Sequence, residues 1–146
     1  RQSAAEFVEK FKGHKNRHVL IYGDPAGRAG EKHGHASDYT DIEDVLRQNS
    51  WTFTRKVKAA APAIKDRQNA VRAKIKNAAD EISLYVNPIT AEWCNKGLAT
   101  VQLKEGSSFQ EDQDNKYQHI TTAIGYCVDV EYPISAGIRR VPVSGS

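Results

Sequence analysis

The sequence predicts an α/β fold, a central parallel or mixed β-sheet flanked by helices, on three observations. Val19-Leu20-Ile21-Tyr22 is a short, continuous apolar run of the kind that suits a strand covered on both faces. Strand-like and helix-like patterns then alternate along the chain, as layered α/β domains require. At 146 residues, 39% of them hydrophobic and 27% charged, the chain is long enough for one domain with a core and too short for two.

Each element has its own signal. The first strand ends at Gly23-Asp24-Pro25, where proline fixes its own φ and ends the strand's hydrogen bonding, and a Gly-rich loop runs from Pro25 to Gly34. Thr40-Asp41-Ile42-Glu43 fits a capping box in which Thr40 caps a helix and Glu43 reaches back to its start. Ile42, Val45 and Leu46 then stand at i, i+3, i+4, a short amphipathic helix ending near Asn49. Trp51, Phe53, Arg55 and Val57 alternate with Thr52, Thr54 and Lys56, a strand with one buried face and Trp51 in the core. Pro62 opens a second helix whose Ile64, Val71 and Ile75 share a face. Ile82, Leu84 and Val86 predict another strand, ended by Asn87-Pro88, and Thr90 a cap for a helix carrying a core Trp93 and Leu98. SSFQEDQDNK reads as loop. Ile120, Ala123, Ile124, Cys127 and Val128 form the apolar face of a last helix, and the tail from Tyr132 reads as irregular.

Composition narrows the function classes. No stretch approaches the roughly 20 apolar residues that span a bilayer, and the start RQSAAEFVEKFKG lacks the apolar centre of a signal peptide. The expectation is a soluble protein that neither enters membranes nor is secreted. An initial Arg and the absence of any Met fit a piece of a longer protein. Cys94 and Cys127 lie in apolar settings and read as buried free thiols of a reducing compartment. With 21 Lys+Arg against 18 Asp+Glu, a net charge of +3 and a pI near 8.9, nucleic acid is permitted rather than demanded. The distribution is more telling. Arg55, Lys56, Lys58, Lys65, Arg67, Arg72, Lys74 and Lys76 surround a single acid, Asp66. A solvated helix face explains many such runs, but a phosphate-rich polymer also needs cations along its backbone and carboxylates only where a metal sits.

Asp24 has two readings. It is a turn residue, or it is a carboxylate at the carboxyl end of a central strand, where open α/β sheets place ligands. Asp66 opens the helix after the second strand, so both acids reach one edge if the two strands are parallel neighbours. His119, Thr122, Tyr126 and Asp129 add a polar stripe at i, i+3, i+7, i+10 of the last helix, with Tyr126 read as packing. Carboxylates brought together repel and raise one another's pKa, a cost that a divalent cation removes. An oxygen-only donor set points to Mg²⁺ or Mn²⁺, and paired ions can activate a water and steady the leaving oxygen of a phosphodiester. His33-Gly-His35 with Asp38 offers zinc ligands on a loop too flexible to fix their geometry. GDPAGRAG lacks the Lys and glycine spacing of a nucleotide loop.

GDPAG after an apolar strand, Pro62 followed by Asp66-Arg67-Gln68-Asn69-Ala70-Val71, and HITTAIGYCVDVEYP together resemble the carboxyl-terminal nuclease domain of large terminase subunits of tailed bacteriophages. The resemblance runs from about Val19 to Pro133. It implies a ribonuclease H-like fold whose metal-bound carboxylates, holding two Mg²⁺ or Mn²⁺ ions, cut concatemeric double-stranded DNA at the start and end of genome packaging. It also implies an upstream packaging ATPase domain, a portal and a small terminase subunit as partners, in the cytoplasm of an infected host and transiently at the procapsid portal. Asp24 matches the first-strand metal ligand and Asp66 the acid before the Arg of the following helix, with Asp80 another acid lying before a strand. Where many members have His-x-x-Asp-Ala, this chain has His119-Ile-Thr-Thr122-Ala, so the third ligand stays open between Asp129 and His119. No GxxxxGK[ST] phosphate loop occurs, and ATP hydrolysis is not expected. Arg55, Lys56, Lys58, Arg67, Arg72, Lys74, Lys104 and Lys116 are the candidate grips on DNA, and because phosphate contacts carry no sequence information, cutting should be largely sequence-independent. The alternatives are a non-catalytic DNA-binding or motor-docking module and another ribonuclease H-like nuclease, such as a junction resolvase.

Overall fold

Strand β1 (His18–Ile21) and strand β2 (Thr52–Arg55) pair in parallel, with His18 opposite Thr52 and Ile21 opposite Arg55. These coordinates are a computed structural model that describes residues 1–101 and 116–134. Parallel neighbours need a long crossover, and here it holds two single-turn 3₁₀ helices (Pro25–Arg28 and Glu31–His33) and helix α2 (Asp38–Gln48), preceded by α1 (Gln2–Lys10). Helices α3 (Ile64–Ile75), α4 (Glu92–Thr100) and α5 (Gln118–Glu131) follow. Among the described residues the fold is thus a two-stranded parallel sheet with five helices, roughly α/β. None of the described helices is long and apolar enough to cross a membrane.

Several local expectations shift. Helix α2 begins one turn earlier than the Thr40 cap predicts: Ser37 Oγ accepts the Thr40 N–H at 3.2 Å, and Thr40 Oγ1 accepts the Ser37 N–H at 2.7 Å. Thr40 is therefore the reciprocal partner of a capping box, and Glu43 is left to serve an ion pair. The strand expected over Ile82–Val86 does not form. Ser83 and Leu84 both donate their N–H to the Lys74 carbonyl at 2.8 Å, docking this extended chain on the end of α3. Alternation reports a half-buried extended segment, and a helix surface satisfies that pattern as well as a sheet does. Thr90 does not cap α4; Asn87 Oδ1 instead accepts the Ile89 and Thr90 N–H groups at 2.9 and 3.1 Å. Helix α1 is an addition, made legible by the spacing of Ala4, Phe7, Val8 and Phe11.

Two apolar clusters result. Val8, Ile21, Tyr39, Leu46 and Trp51 form the first, with the Phe7 ring edge-on to Trp51 at 5.4 Å. Ala70, Val71 and Val128 form the second, joining α3 to α5 with Leu84 and Leu98 at its rim. With a single neighbouring strand among the described residues, β1 is covered less than its sequence implies: Ile21 is buried, but Leu20 is 44% exposed. Trp51 is core as expected, whereas Trp93 is 55% exposed and meets Tyr117 edge-on at 5.1 Å. Cys94 and Cys127 are half-buried free thiols.

Candidate functional site

The edge beyond β1 and β2 is assembled residue by residue. Lys56 N–H donates to the Ile21 carbonyl at 2.8 Å, so the ladder continues one step past the strands. The chain after β1 then turns sharply at Asp24. Its backbone is extended (φ −69°, ψ 128°), and its Oδ1 accepts the Ala26 N–H at 2.9 Å, capping the turn that Pro25 begins. The turn reading of Asp24 is realised, and the carboxylate still faces outward, because the residue is exposed.

Tyr39 of α2 fixes the turn from beneath by donating its hydroxyl to the Asp24 carbonyl at 2.7 Å. That approach requires Gly23, where a Cβ would sit 2.3 Å from the Tyr39 Oη. A network ties the same loop to β2. Arg55 Nε donates to Glu43 at 2.6 Å and its Nη1 to Glu31 at 2.5 Å, while Ser37 Oγ donates to Glu31 at 2.7 Å. The Ser37 hydroxyl first, and then Arg55, hold the Glu31 carboxyl down at about 2.

Helix α5 closes the edge from the other side. Tyr126 is buried, its ring lies 4.7 Å from the Arg67 guanidinium carbon, and its hydroxyl interacts with the Asp24 carboxylate and Arg67. Burial, and after it the Asp24 carboxylate, push the Tyr126 phenol up to about 12. Arg67 itself is only 4% exposed, pressed against Gly125, where a Cβ would come within 2.7 Å of its Cγ. One turn past Tyr126, the buried Asp129 accepts from Lys58 Nζ at 2.5 Å through Oδ2 and at 3.2 Å through its carbonyl. Glu131 takes Lys56 at 2.5 Å and the Tyr22 hydroxyl at 2.6 Å. Lys56 first, and Tyr22 second, lower the Glu131 carboxyl.

Asp24, Tyr126 and Arg67 therefore meet, and the Lys58–Asp129 pair stands one turn further along α5. Asp66 lies in the first turn of α3, next to Arg67, and is exposed. His119 is exposed and stands seven residues before Tyr126, about 10 Å along the axis at a 1.5 Å rise per residue. Among the described residues no three His, Cys, Asp or Glu side chains gather as a metal cage, the His33-Gly-His35 loop included. Two exposed carboxylates suit Mg²⁺ or Mn²⁺ differently, since such ions are held by one or two carboxylates while waters and substrate phosphates fill the other positions. Asp24 and Asp66 are both exposed, whereas Asp129 is buried and bound to Lys58.

The cations divide similarly. Arg55, Lys56, Lys58 and Arg67 are engaged with acids or with the Tyr126 ring. Lys74 lies over the Tyr132 ring at 4.1 Å, and Lys116 is near Trp93 and Tyr117 at 5.6 and 5.1 Å. Arg72 and Lys116 are exposed to an approaching polyanion, while Lys104 lies outside the described residues. Tyr126 is the residue whose role sequence reasoning missed: the i, i+3, i+7, i+10 stripe located it, but a tyrosine beside apolar neighbours reads as packing. A separate groove of ≈ 660 Å³ between α1, β1, α2 and α5 is lined largely by apolar side chains and by none of Asp24, Asp66, Arg67, Tyr126 and Asp129. No protein-family model, curated protein or solved structure matches the chain.

Proposed function

We propose that the chain is a metal-dependent endonuclease of double-stranded DNA, the ribonuclease H-like nuclease domain of a phage large terminase subunit, cutting concatemeric viral DNA largely without regard to sequence. The observation that carries this reading is the exposed Asp24 carboxylate at the carboxyl end of a parallel strand pair, held by Ala26 N–H on its side chain and by Tyr39 on its backbone. Preorganised carboxylates of this kind are what phosphodiester hydrolysis needs, because the group must already be in place when charge develops. Asp24 and Asp66 would hold Mg²⁺ or Mn²⁺, whose bound form supplies an activated water and charge neutralisation at the phosphate. Arg72, Lys74, Lys104 and Lys116 would contact the DNA backbone, and Arg67 would act from within by bracing Tyr126. The packaging ATPase domain, the portal and the small terminase subunit are the partners this reading proposes, in the cytoplasm of the infected host.

A second reading, a non-catalytic DNA-binding or motor-docking module, is favoured by one observation: Asp129 is already neutralised by Lys58. Incubating supercoiled plasmid with the protein in Mg²⁺ or Mn²⁺, with EDTA and Asp24→Ala as controls, separates the two. Nicking and linearisation lost in both controls supports the nuclease. Retarded plasmid that stays supercoiled in every metal supports the module.

A further inference from the structure

Strand β1 has one edge without a neighbour. The Arg17 and Ile21 carbonyls accept the Thr52 and Lys56 N–H groups, both at 2.8 Å, which turns the backbone of Val19 and Ile21 toward β2. The alternate residues Leu20 and Tyr22 therefore direct their N–H and C=O groups to the opposite edge. Among the described residues no strand pairs there, and no hydrogen bond reaches those groups. The groove of ≈ 660 Å³ runs along this edge, since it is lined by Val19 through Tyr22 and by no residue of β2. Successive strand residues face opposite ways, so the groove has two walls. Ala4, Phe7 and Ile42 of α1 and α2 stand on the face of Val19 and Ile21, and Ala123, Ile124 and Cys127 of α5 on the face of Leu20 and Tyr22.

Apolar walls alone suit many ligands, but a small apolar molecule would leave the row of backbone groups unpaired. An added strand satisfies both, pairing with the edge while its alternate side chains enter alternate walls. With both walls apolar, such a strand is apolar on both faces. Charge marks one end. Tyr39 donates to the Asp24 carbonyl at 2.7 Å, so the start of α2 lies at the carboxyl end of β1, and with it Asp38 and Asp41, which line the groove. Asp38 is exposed and in no ion pair among the described residues, and Asp41 meets Arg1 at 3.4 Å. We infer that the open edge of β1 binds an extended segment of a partner polypeptide, apolar on both faces and carrying a Lys or Arg at the end that meets Asp38. This surface is distinct from the Asp24 edge, because neither Asp24 nor Asp66 lines it.

The probe is a synthetic peptide of about six residues, a usual strand length, made of Val and Ile with Lys-Lys at one end. One control carries Glu-Glu in place of the lysines, and another a central Pro, which removes a ladder donor. At saturation and fixed pH the lysine peptide should slow exchange of the Leu20 and Tyr22 amides by about tenfold or more, while the proline peptide leaves them fast and the glutamate peptide binds more weakly. Asp38→Asn should weaken binding of the lysine peptide by about 2–5-fold, as for an exposed ion pair. Leu20→Lys should weaken it most without unfolding the protein, because that position is 44% exposed and an edge lysine opposes strand addition. Slow exchange of both amides in the protein alone would mean that the chain covers its own edge. A dimer that Leu20→Lys converts to a monomer in sedimentation would mean that a second copy covers it. Either result overturns the proposal, as does equal binding of the proline and lysine peptides, or binding of neither.

Discussion

The two apolar clusters are built differently, and the contrast explains where the site lies. The first is packed around Leu46 and Trp51, 2% and 5% exposed, with α1, α2 and both strands contributing. The second has only Ala70, Val71 and Val128 fully inside, and long cations laid on aromatic rings supplement it: Arg67 on Tyr126 and Lys74 on Tyr132. Between the two runs a polar seam of Tyr22–Glu131, Lys56–Glu131 and Lys58–Asp129 contacts. Apolar burial is non-directional, whereas hydrogen bonds and ion pairs fix particular atoms in place. A carboxylate that must be held at a set position is better served by the seam than by either core, and Asp24 is there.

If this contrast is right, the largest single loss comes from the first core. Leu46→Ala should destabilise the protein by about 3–5 kcal/mol and Val71→Ala by about 2 kcal/mol, from lost transfer energy and the cavity left behind. Urea unfolding of both variants measures it, and equal losses would erase the distinction. Next comes Gly125→Ala, whose new methyl must displace Arg67 from Tyr126. It should cost about 1–3 kcal/mol as overpacking, and because burial and the Asp24 carboxylate raise the Tyr126 phenol while Arg67 lowers it, the phenol, followed by NMR, should titrate higher still once Arg67 is displaced.

Much of this was readable in advance, and the failures are informative. The existence of the two strands, the apolar face of α2 and the stripe on α5 follow from periodicity, which local sequence encodes directly. Partner choice is not local. Glu43 reads as a cap three residues from Thr40, but the residue that claims it is Arg55, twelve positions away, through a 2.6 Å contact that only the fold creates. Asp129 reads as a metal ligand for the same reason: nothing near it in the chain announces Lys58. Lys104 and the polar SSFQEDQDN segment lie outside the described residues.

The seam should respond to salt and point changes more weakly. Glu131→Gln removes an anion shared by Tyr22 and Lys56 and should lower stability only slightly, an effect that shrinks as salt screens the pair. The smallest effect is local. Glu31 is held at about 2 against an ordinary 4.5, so its contribution is complete above 4.5 and is lost as pH falls from there toward 2. Across that interval the protection factors of the amides of residues 25–37, referenced to intrinsic exchange at each pH, should fall before those of α3 and α5. Opening of all helices together would mean the loop is not a separate unit.

Substoichiometric Mn²⁺ added to ¹⁵N-labelled protein tests the central claim most directly, because paramagnetic broadening falls off steeply with distance from the ion. The account predicts that the amides of Gly23, Asp24 and Ala26 broaden first and that Asp24→Asn abolishes the effect while the fold persists. Broadening centred elsewhere, or unchanged in Asp24→Asn, would contradict it.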